Sequence, residues 1–323
     1  MPKAVVVRTP GGPEALEYTD VDAVAPGPGE LLVEVAAAGV NYIDTYHRSG
    51  AYPLPAPFGV GLEGAGRVVG VGDDVGTVRV GDRVAWASAQ GSYAERVVVP
   101  ARNAILVPEG VADEVAGALP LQGLTAHYLV RSTFEVGADH TILVHAAAGG
   151  VGLLLVQLAK ARGARVIGTV STEAKEALAR EAGADEVIRY DRTPFAEEVR
   201  RLTDGEGVAV VYDGVGAATF EGSLDSLRPR GLLALFGAAS GPVPTFQPQV
   251  LNQKGSLYLT RPSLNAYTAT REELDWRAGE LFGAVADGSL TVRIGGRYPL
   301  ADARRAHEDL EGRRTTAKLL LVP

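Results

Sequence analysis

Cysteine is absent from the 323-residue chain. Its absence rules out disulfide bonds, thiolate catalysis and cysteine-ligated metals, and it fits a cytoplasmic enzyme. Lysine is scarce: Lys3, Lys160, Lys175, Lys254 and Lys318 are the only five among 31 basic residues, so each can be weighed singly. An excess of positive charge is also missing, since the formal net charge is −8. That balance argues against non-specific binding to nucleic acid or to an anionic membrane. Long apolar runs are rare. Ala4–Val7 stops at Arg8 and reads as a strand opening rather than a signal peptide. Ile142–Ala159 has the length of a minimal membrane span, but Gly149, Gly150 and Gly152 interrupt it. It reads as strand, turn and buried helix, and no membrane insertion is expected.

What is present is a soluble globular composition, 46% hydrophobic and 22% charged, in a chain long enough for two domains. The first third carries short apolar runs at Ala4–Val7, Leu31–Val35, Arg67–Val71, Arg83–Ala87 and Arg96–Val99, punctuated by glycine and proline. This spacing predicts an all-β, barrel-like unit. From about residue 123, strands alternate with helical patterns. The strands are Thr141–His145, Arg165–Val170, Glu186–Tyr190, Val208–Asp213, Leu232–Phe236 and Ser256–Leu259. Such alternation predicts a doubly wound parallel sheet in an α/β protein. Beyond Pro262, Thr270 and Glu273 form a capping box for a helix carrying Leu274, Ala278, Leu281, Phe282 and Val285 on one face. A short helix near Asp302–Leu310 and a strand at Lys318–Val322 follow. These elements are too few for a domain, so the tail is expected to return to the first unit. The expected division is 1–122 with 264–323, and 123–263.

After the strand Thr141–His145 comes Ala146-Ala147-Ala148-Gly149-Gly150-Val151-Gly152, then a helix with Val151, Leu154, Leu155 and Leu158 on one stripe. This is an A-x-x-G-x-x-G form of the dinucleotide fingerprint. Small residues permit a tight turn and a close approach to pyrophosphate, and the helix N-terminus offers free N–H groups. Its place at a strand–helix junction within a run of βα units favours cofactor binding over simple packing.

At the end of the second strand an NAD enzyme would place an acid on the ribose 2′-hydroxyl. Here the chain reads Ser171-Thr172-Glu173-Ala174-Lys175. A cation at a helix N-terminus is disfavoured by the dipole, so Lys175 needs another reason to be there, and NADPH supplies one. Glu173 opposes that reading unless it turns outward. Other residues at the carboxyl ends of strands are Tyr190, Gly214, Phe236, Gly237, Ser240 and Arg261.

The segment from Asp139 through Gly149-Gly150-Val151-Gly152 to Gln157 and Lys160 resembles the signature of zinc-free quinone oxidoreductases. These are the zeta-crystallin-like members of the medium-chain dehydrogenase/reductase superfamily. Asn41–Tyr46, Arg48–Tyr52, Val211–Gly216, Leu251–Tyr258 and Thr260–Ser263 resemble the bacterial NADPH:quinone reductases, so the likeness covers nearly the whole chain. It implies a GroES-like, β-rich catalytic domain built from both ends of the chain, with a Rossmann domain inserted. It also implies NADPH as cofactor, a homodimer through the last Rossmann strand, and Thr125 and Arg313 near the cofactor, Arg313 uncertain by one residue in Gly312-Arg313-Arg314. Asn41, Asp44, Tyr46 and Tyr52 are placed at the catalytic site. Tyr52 and Tyr46 are the candidate donors to a substrate carbonyl and Asn41 a contact to the nicotinamide ribose or amide. An ordinary polar loop is the alternative for this segment.

Zinc-dependent relatives place a cysteine near Asn41 and a histidine in a G-H-E motif, which here reads Gly61-Leu62-Glu63. No metal is expected. Among the five histidines, His127 and His145 read as packed and hydrogen-bonded, His140 and His307 as surface residues, and His47 as a neighbour of the site. The remaining chemistry is hydride transfer to a quinone or an α,β-unsaturated carbonyl, whose delocalised oxyanion needs little acid catalysis. An enoyl-thioester reductase on the same scaffold, or a non-catalytic NADPH-binding protein of crystallin type, are the alternatives.

Overall fold

A computed structural model describes residues 1–323. The chain forms two compact units, Met1–Leu124 together with Ala269–Pro323, and Thr125–Thr268.

In Thr125–Thr268 six strands lie in one parallel sheet. Their order is Glu186–Arg189, Arg165–Val170, Thr141–Val144, Val208–Asp213, Leu227–Leu235 and Tyr258–Thr260. Counted along the chain this is 3-2-1-4-5-6, the doubly wound Rossmann order. The three central strands are apolar and buried along most of their length, as in a sheet covered on both faces. Every residue of Val208–Asp213 is buried, and Leu143, Ile167, Val211 and Leu233 meet at the core. The fifth strand begins earlier than the sequence suggests, at Leu227, and carries a register shift against Val208–Val210. The sixth begins later, at Tyr258, because Ser256 takes a positive φ of 56° that the extended backbone cannot continue.

The other unit is built on a seven-stranded sheet. One path runs Ile294–Pro299, Lys318–Val322, Glu30–Val40, Glu63–Val71, Arg83–Trp86 and Ile105–Leu106, and Arg96–Pro100 also pairs with Glu30–Val40. In Glu30–Val40, Leu31, Val33 and Val35 are buried while Glu34 faces out, the period-two pattern of a half-buried strand. The terminal strand pairs antiparallel with the same long strand, Leu320 opposite Gly39. A three-stranded sheet of Glu17–Asp20, Lys3–Val7 and Phe58–Gly59 belongs to the same unit.

One expectation is corrected here. The first third is not all-β: helix Tyr42–Ser49 lies within it. The first helix forms because the Asn41 N–H donates to Asp44 Oδ2 at 2.8 Å, so a carboxylate satisfies an N–H just before the first turn. The helix near the C-terminus spans Ala303–Glu311, and Thr270 caps Arg271–Ala286 by accepting from the Glu273 N–H at 3.2 Å.

Candidate functional site

The glycine turn sits where the strand order reverses, at the carboxyl end of Thr141–Val144. Ala146 takes a positive φ of 50°, the Ala147 N–H donates to Thr169 O at 3.1 Å, and the Gly149 N–H donates to Ala146 O at 2.8 Å. Helix Gly150–Ala161 then starts with no side chain capping its first turn, so the N–H groups of Gly150, Val151 and Gly152 remain open to an anion. A Cβ on Gly152 would lie 2.3 Å from Ala146 O and 2.8 Å from Ala147 Cα. Only glycine lets helix and turn touch this closely. These features fit a dinucleotide pyrophosphate.

Around the neighbouring strand ends, Tyr190 N–H donates to Val170 O at 3.2 Å, so the half-exposed Tyr190 and the half-buried Ser171 flank one spot. Lys175 is half-buried in the first turn of Glu173–Glu181, and its N–H donates to the capping Thr172 hydroxyl at 3.3 Å. Glu173 is 90% exposed with its carboxylate 3.9 Å from the Arg189 guanidinium. Arg189 was not singled out from the sequence; it also bonds Asp191 at 2.8 Å.

Asp213 O accepts from the N–H groups of Phe236 at 2.8 Å and Gly237 at 3.3 Å. A Cβ on Gly237 would lie 2.5 Å from Gly214 O, so these two loops meet backbone to backbone. Ser240 lies beside these loops. Its hydroxyl donates to Val215 O at 2.8 Å and accepts from the Ala218 N–H at 3.0 Å, which commits its only proton to shaping the 215–218 loop. Arg261 donates to Leu235 O at 2.9 Å, reaching from the sixth strand to the end of the fifth. Thr125 is buried at the head of this unit.

In the unit formed by both chain ends, Tyr46 and Tyr52 pack edge to face at 5.2 Å, with Tyr42 at 6.5 Å from Tyr46 and His47 at 6.3 Å from Tyr52. Tyr52 is 42% exposed. Burial pushes the His47 imidazole below its ordinary value, and His47 Nδ1 is buried without a partner. Arg313 takes a positive φ of 55°, and its charge acts on the Tyr42 hydroxyl. Arg314 is committed to Asp309 at 2.8 Å.

Asn41 and Asp44 are both buried. Asn41 is 4% exposed, and its amide is fully engaged. Nδ2 donates to Glu63 Oε2 at 2.8 Å and Gly39 O at 3.3 Å, while Oδ1 accepts from Lys318 Nζ at 2.8 Å and Gln122 Nε2 at 3.2 Å. Two donors and two lone pairs are thus engaged within the protein. Glu63 also pairs with Lys318 and accepts from the Leu121 N–H at 2.7 Å. Gln122 keeps a buried carbonyl oxygen, Oε1, without a partner. Asp44 is fully buried, and its Oδ2 accepts from the Asn41 N–H and the Tyr93 hydroxyl, both at 2.8 Å.

His307, expected at the surface, is fully buried. Arg48 Nη1 lies 3.1 Å from His307 Nδ1, and arginine can only donate, so the imidazole hydrogen sits on Nε2. His307 Nε2–H then donates to Tyr93 Oη at 3.1 Å, and the Tyr93 hydroxyl donates to Asp44 Oδ2 at 2.8 Å. Arg48 is itself held by both Glu311 oxygens at 2.9 Å. Burial pushes Asp44 up to about 7, against the pull of the Asn41 N–H, Tyr93 and Lys318. Burial, with the Arg48 charge, takes His307 down to about 3. Burial also lowers the Lys318 ammonium, with Glu63 opposing. No group of three or more His, Cys, Asp or Glu is arranged to hold a metal ion. No helix is long and apolar enough to cross a membrane.

Residues 27–109 match the alcohol dehydrogenase GroES-like domain and residues 150–276 the zinc-binding dehydrogenase domain. The chain is 49% identical to a quinone oxidoreductase of Pseudomonas aeruginosa, with 100% of each chain covered. It is similar to a mycobacterial protein solved with NADPH, at 54% identity and a TM-score of 0.97, covering 99% of this chain and 100% of that one. It is equally similar in fold to Escherichia coli quinone oxidoreductase solved with NADPH, at 46% identity and a TM-score of 0.97 with the same coverage. A GroES-like and a Rossmann unit, an open glycine turn and full-length likeness converge: the chain belongs to the quinone oxidoreductase family of the medium-chain dehydrogenase/reductase superfamily.

Proposed function

We propose that this protein reduces quinones, and related α,β-unsaturated carbonyls, with NADPH and without a metal. The observation that carries the reading is the uncapped glycine turn at the switch point of a 3-2-1-4-5-6 sheet, in a chain whose full-length relatives are quinone oxidoreductases. Bound NADPH supplies the hydride. Gly149, Gly150, Val151 and Gly152 hold the pyrophosphate through backbone N–H groups. Ser171, Lys175 and Tyr190 hold the 2′-phosphate. Gly214, Phe236 and Gly237 approach the cofactor through backbone, and Thr125, Arg261 and Arg313 complete its binding. Tyr52, oriented by its edge contact with Tyr46, donates to the carbonyl oxygen as negative charge develops on it. Glu63 and Lys318 neutralise each other, so neither serves a metal.

Steady-state oxidation of NADPH with a panel of quinones, enones and enoyl thioesters, before and after exhaustive chelation, tests this. Quinone turnover that survives chelation supports it. A preference for enoyl thioesters, or cofactor binding without turnover on any acceptor, overturns it. The same proposal includes a cytoplasmic setting and a homodimer through Tyr258–Thr260. That strand is the sheet's edge, with Tyr258 62% exposed, and two-fold antiparallel pairing would satisfy its free backbone groups. A monomer mass by light scattering at micromolar concentration overturns the dimer.

A further inference from the structure

Four side chains behind the glycine turn form a buried chain that none of the roles above uses. His145 is the residue just before the turn and is 2% exposed; Thr169 is 1% exposed, and Ser223 and Asp213 are fully buried. His145 Nδ1 lies 2.8 Å from Thr169 Oγ1, His145 Nε2 lies 3.0 Å from Ser223 Oγ, and Ser223 Oγ donates to Asp213 Oδ2 at 2.9 Å. Asp213 also accepts from the N–H groups of Val215 at 2.7 Å and Gly216 at 3.0 Å, and from the Thr219 hydroxyl at 2.7 Å. Its two oxygens therefore receive four hydrogen bonds, which fills an ionised carboxylate's acceptor positions.

The direction of every bond follows. Ser223 spends its proton on Asp213, so it accepts from His145, and the imidazole hydrogen sits on Nε2. Burial lowers the imidazole below its ordinary value, which keeps the ring neutral and leaves Nδ1 to accept from Thr169. An aspartate, a serine and a histidine in contact suggest a hydrolytic triad, but the order is wrong. Serine lies between the other two, its hydroxyl faces the carboxylate, and none of the three meets solvent.

What the chain does is fasten loops. Thr169 lies on the second strand, His145 directly follows the first, Asp213 ends the fourth, and Ser223 lies on helix Phe220–Ser226. Main-chain bonds repeat the pattern: His145 N–H donates to Tyr212 O and Ala147 N–H to Thr169 O, both at 3.1 Å. Asp213 holds Val215 and Gly216 through its side chain, and Phe236 and Gly237 through its carbonyl oxygen. The ring of Phe195 packs edge-on against the His145 ring at 4.7 Å and completes its enclosure. The turn at 146–152 and the loops at 214–216 and 236–237 are thus tied to one buried line.

We infer that His145 is a positioning residue for the cofactor: through Ser223 and Asp213 it holds the glycine turn in register with the loops at 214–216 and 236–237. The inference rests on the reading that this turn binds NADPH. The test uses the full-length protein with His145→Phe, Ser223→Ala, the double variant and His145→Gln, reading the NADPH dissociation constant by fluorescence titration and KM, kcat and melting temperature alongside. If wild-type protein fails to bind NADPH, the cofactor reading itself fails, independently of His145. Given wild-type binding, His145→Phe should weaken NADPH about tenfold, the scale of one lost buried hydrogen bond, with a smaller change in the KM for quinone. The double variant should bind no more weakly than the worse single one, because both break the same line. His145→Gln keeps a donor toward Ser223 and should recover part of the loss. Additive losses, or equal weakening for NADPH and quinone with no recovery in His145→Gln, would show that His145 only fills space. If His145→Phe does not fold, the Ser223→Ala and His145→Gln titrations decide alone, and unchanged NADPH affinity in both overturns the inference.

Discussion

Lys318 Nζ donates a 2.8 Å hydrogen bond to Asn41 Oδ1, although 277 residues separate them in the chain. The same ammonium pairs with Glu63, and all three side chains are buried. Lys318→Met should leave the Glu63 carboxylate buried and uncompensated, at a cost of about 3–5 kcal/mol. Adding Glu63→Gln should restore much of that, because the second charge leaves with its partner. Denaturant unfolding of the single and double variants measures both. A Lys318→Met midpoint equal to wild type would show that water reaches Glu63.

Stability should depend on pH through His307 and Asp44 with opposite signs. His307 titrates near 3 when folded and near its ordinary value of 6.5 when unfolded. Between those values the unfolded chain binds the extra proton, so stability is lost as pH falls from about 6.5 toward 3. Asp44 is held up to about 7 when folded, against an ordinary 3.8. There the folded state keeps the proton, so stability is lost as pH rises from about 4 to 7. His307→Gln should remove the first dependence and leave the second. Melting temperatures from pH 4 to 8 should show the wild-type advantage over this variant shrinking on the acid side. A constant difference across the range would mean that His307 titrates alike in the folded and unfolded protein.

Tyr52→Phe should lower kcat about tenfold while scarcely altering NADPH affinity. Loss of an oxyanion donor commonly costs about 2.7–4 kcal/mol, and a delocalised quinone oxyanion should lose less. Tyr52 is 42% exposed. Steady-state kinetics on several quinones provides the check, and unchanged kcat on all of them would reduce Tyr52 to packing against Tyr46.

Lys175→Ala should raise the KM for NADPH about tenfold and leave that for NADH nearly unchanged, since a hydrogen bond to a charged group contributes about 1.5–3 kcal/mol. Glu173 should not oppose this strongly, because it is 90% exposed and faces the Arg189 guanidinium. Equal effects on both cofactors would assign Lys175 to the fold or to the adenine.

Much of the architecture is legible in the chain because it is local. Alternating or continuous apolar runs place most strands, and the glycine turn announces itself between a strand and a helix. Where elements were misjudged, a short-range feature hid the answer. The Asn41–Asp44 pair that starts helix Tyr42–Ser49 gives a weak helix signal in the sequence, because aspartate stands where a capping box usually has glutamate or glutamine. The positive φ at Ser256 delays a strand whose composition suggests an earlier start.

Sequence alone determined the fold class, the dinucleotide turn and the lack of cysteine ligands, since these depend on neighbours and on composition. Only the tertiary structure decided which partners the polar side chains take. Asn41 spends its amide on Glu63, Gly39, Gln122 and Lys318, Ser240 on Val215 and Ala218, and His307 sits between Arg48 and Tyr93. A polar side chain is free for chemistry only when its hydrogen bonds are not already made. For Asn41 and His307 most partners lie on distant strands or helices, beyond the reach of any spacing rule.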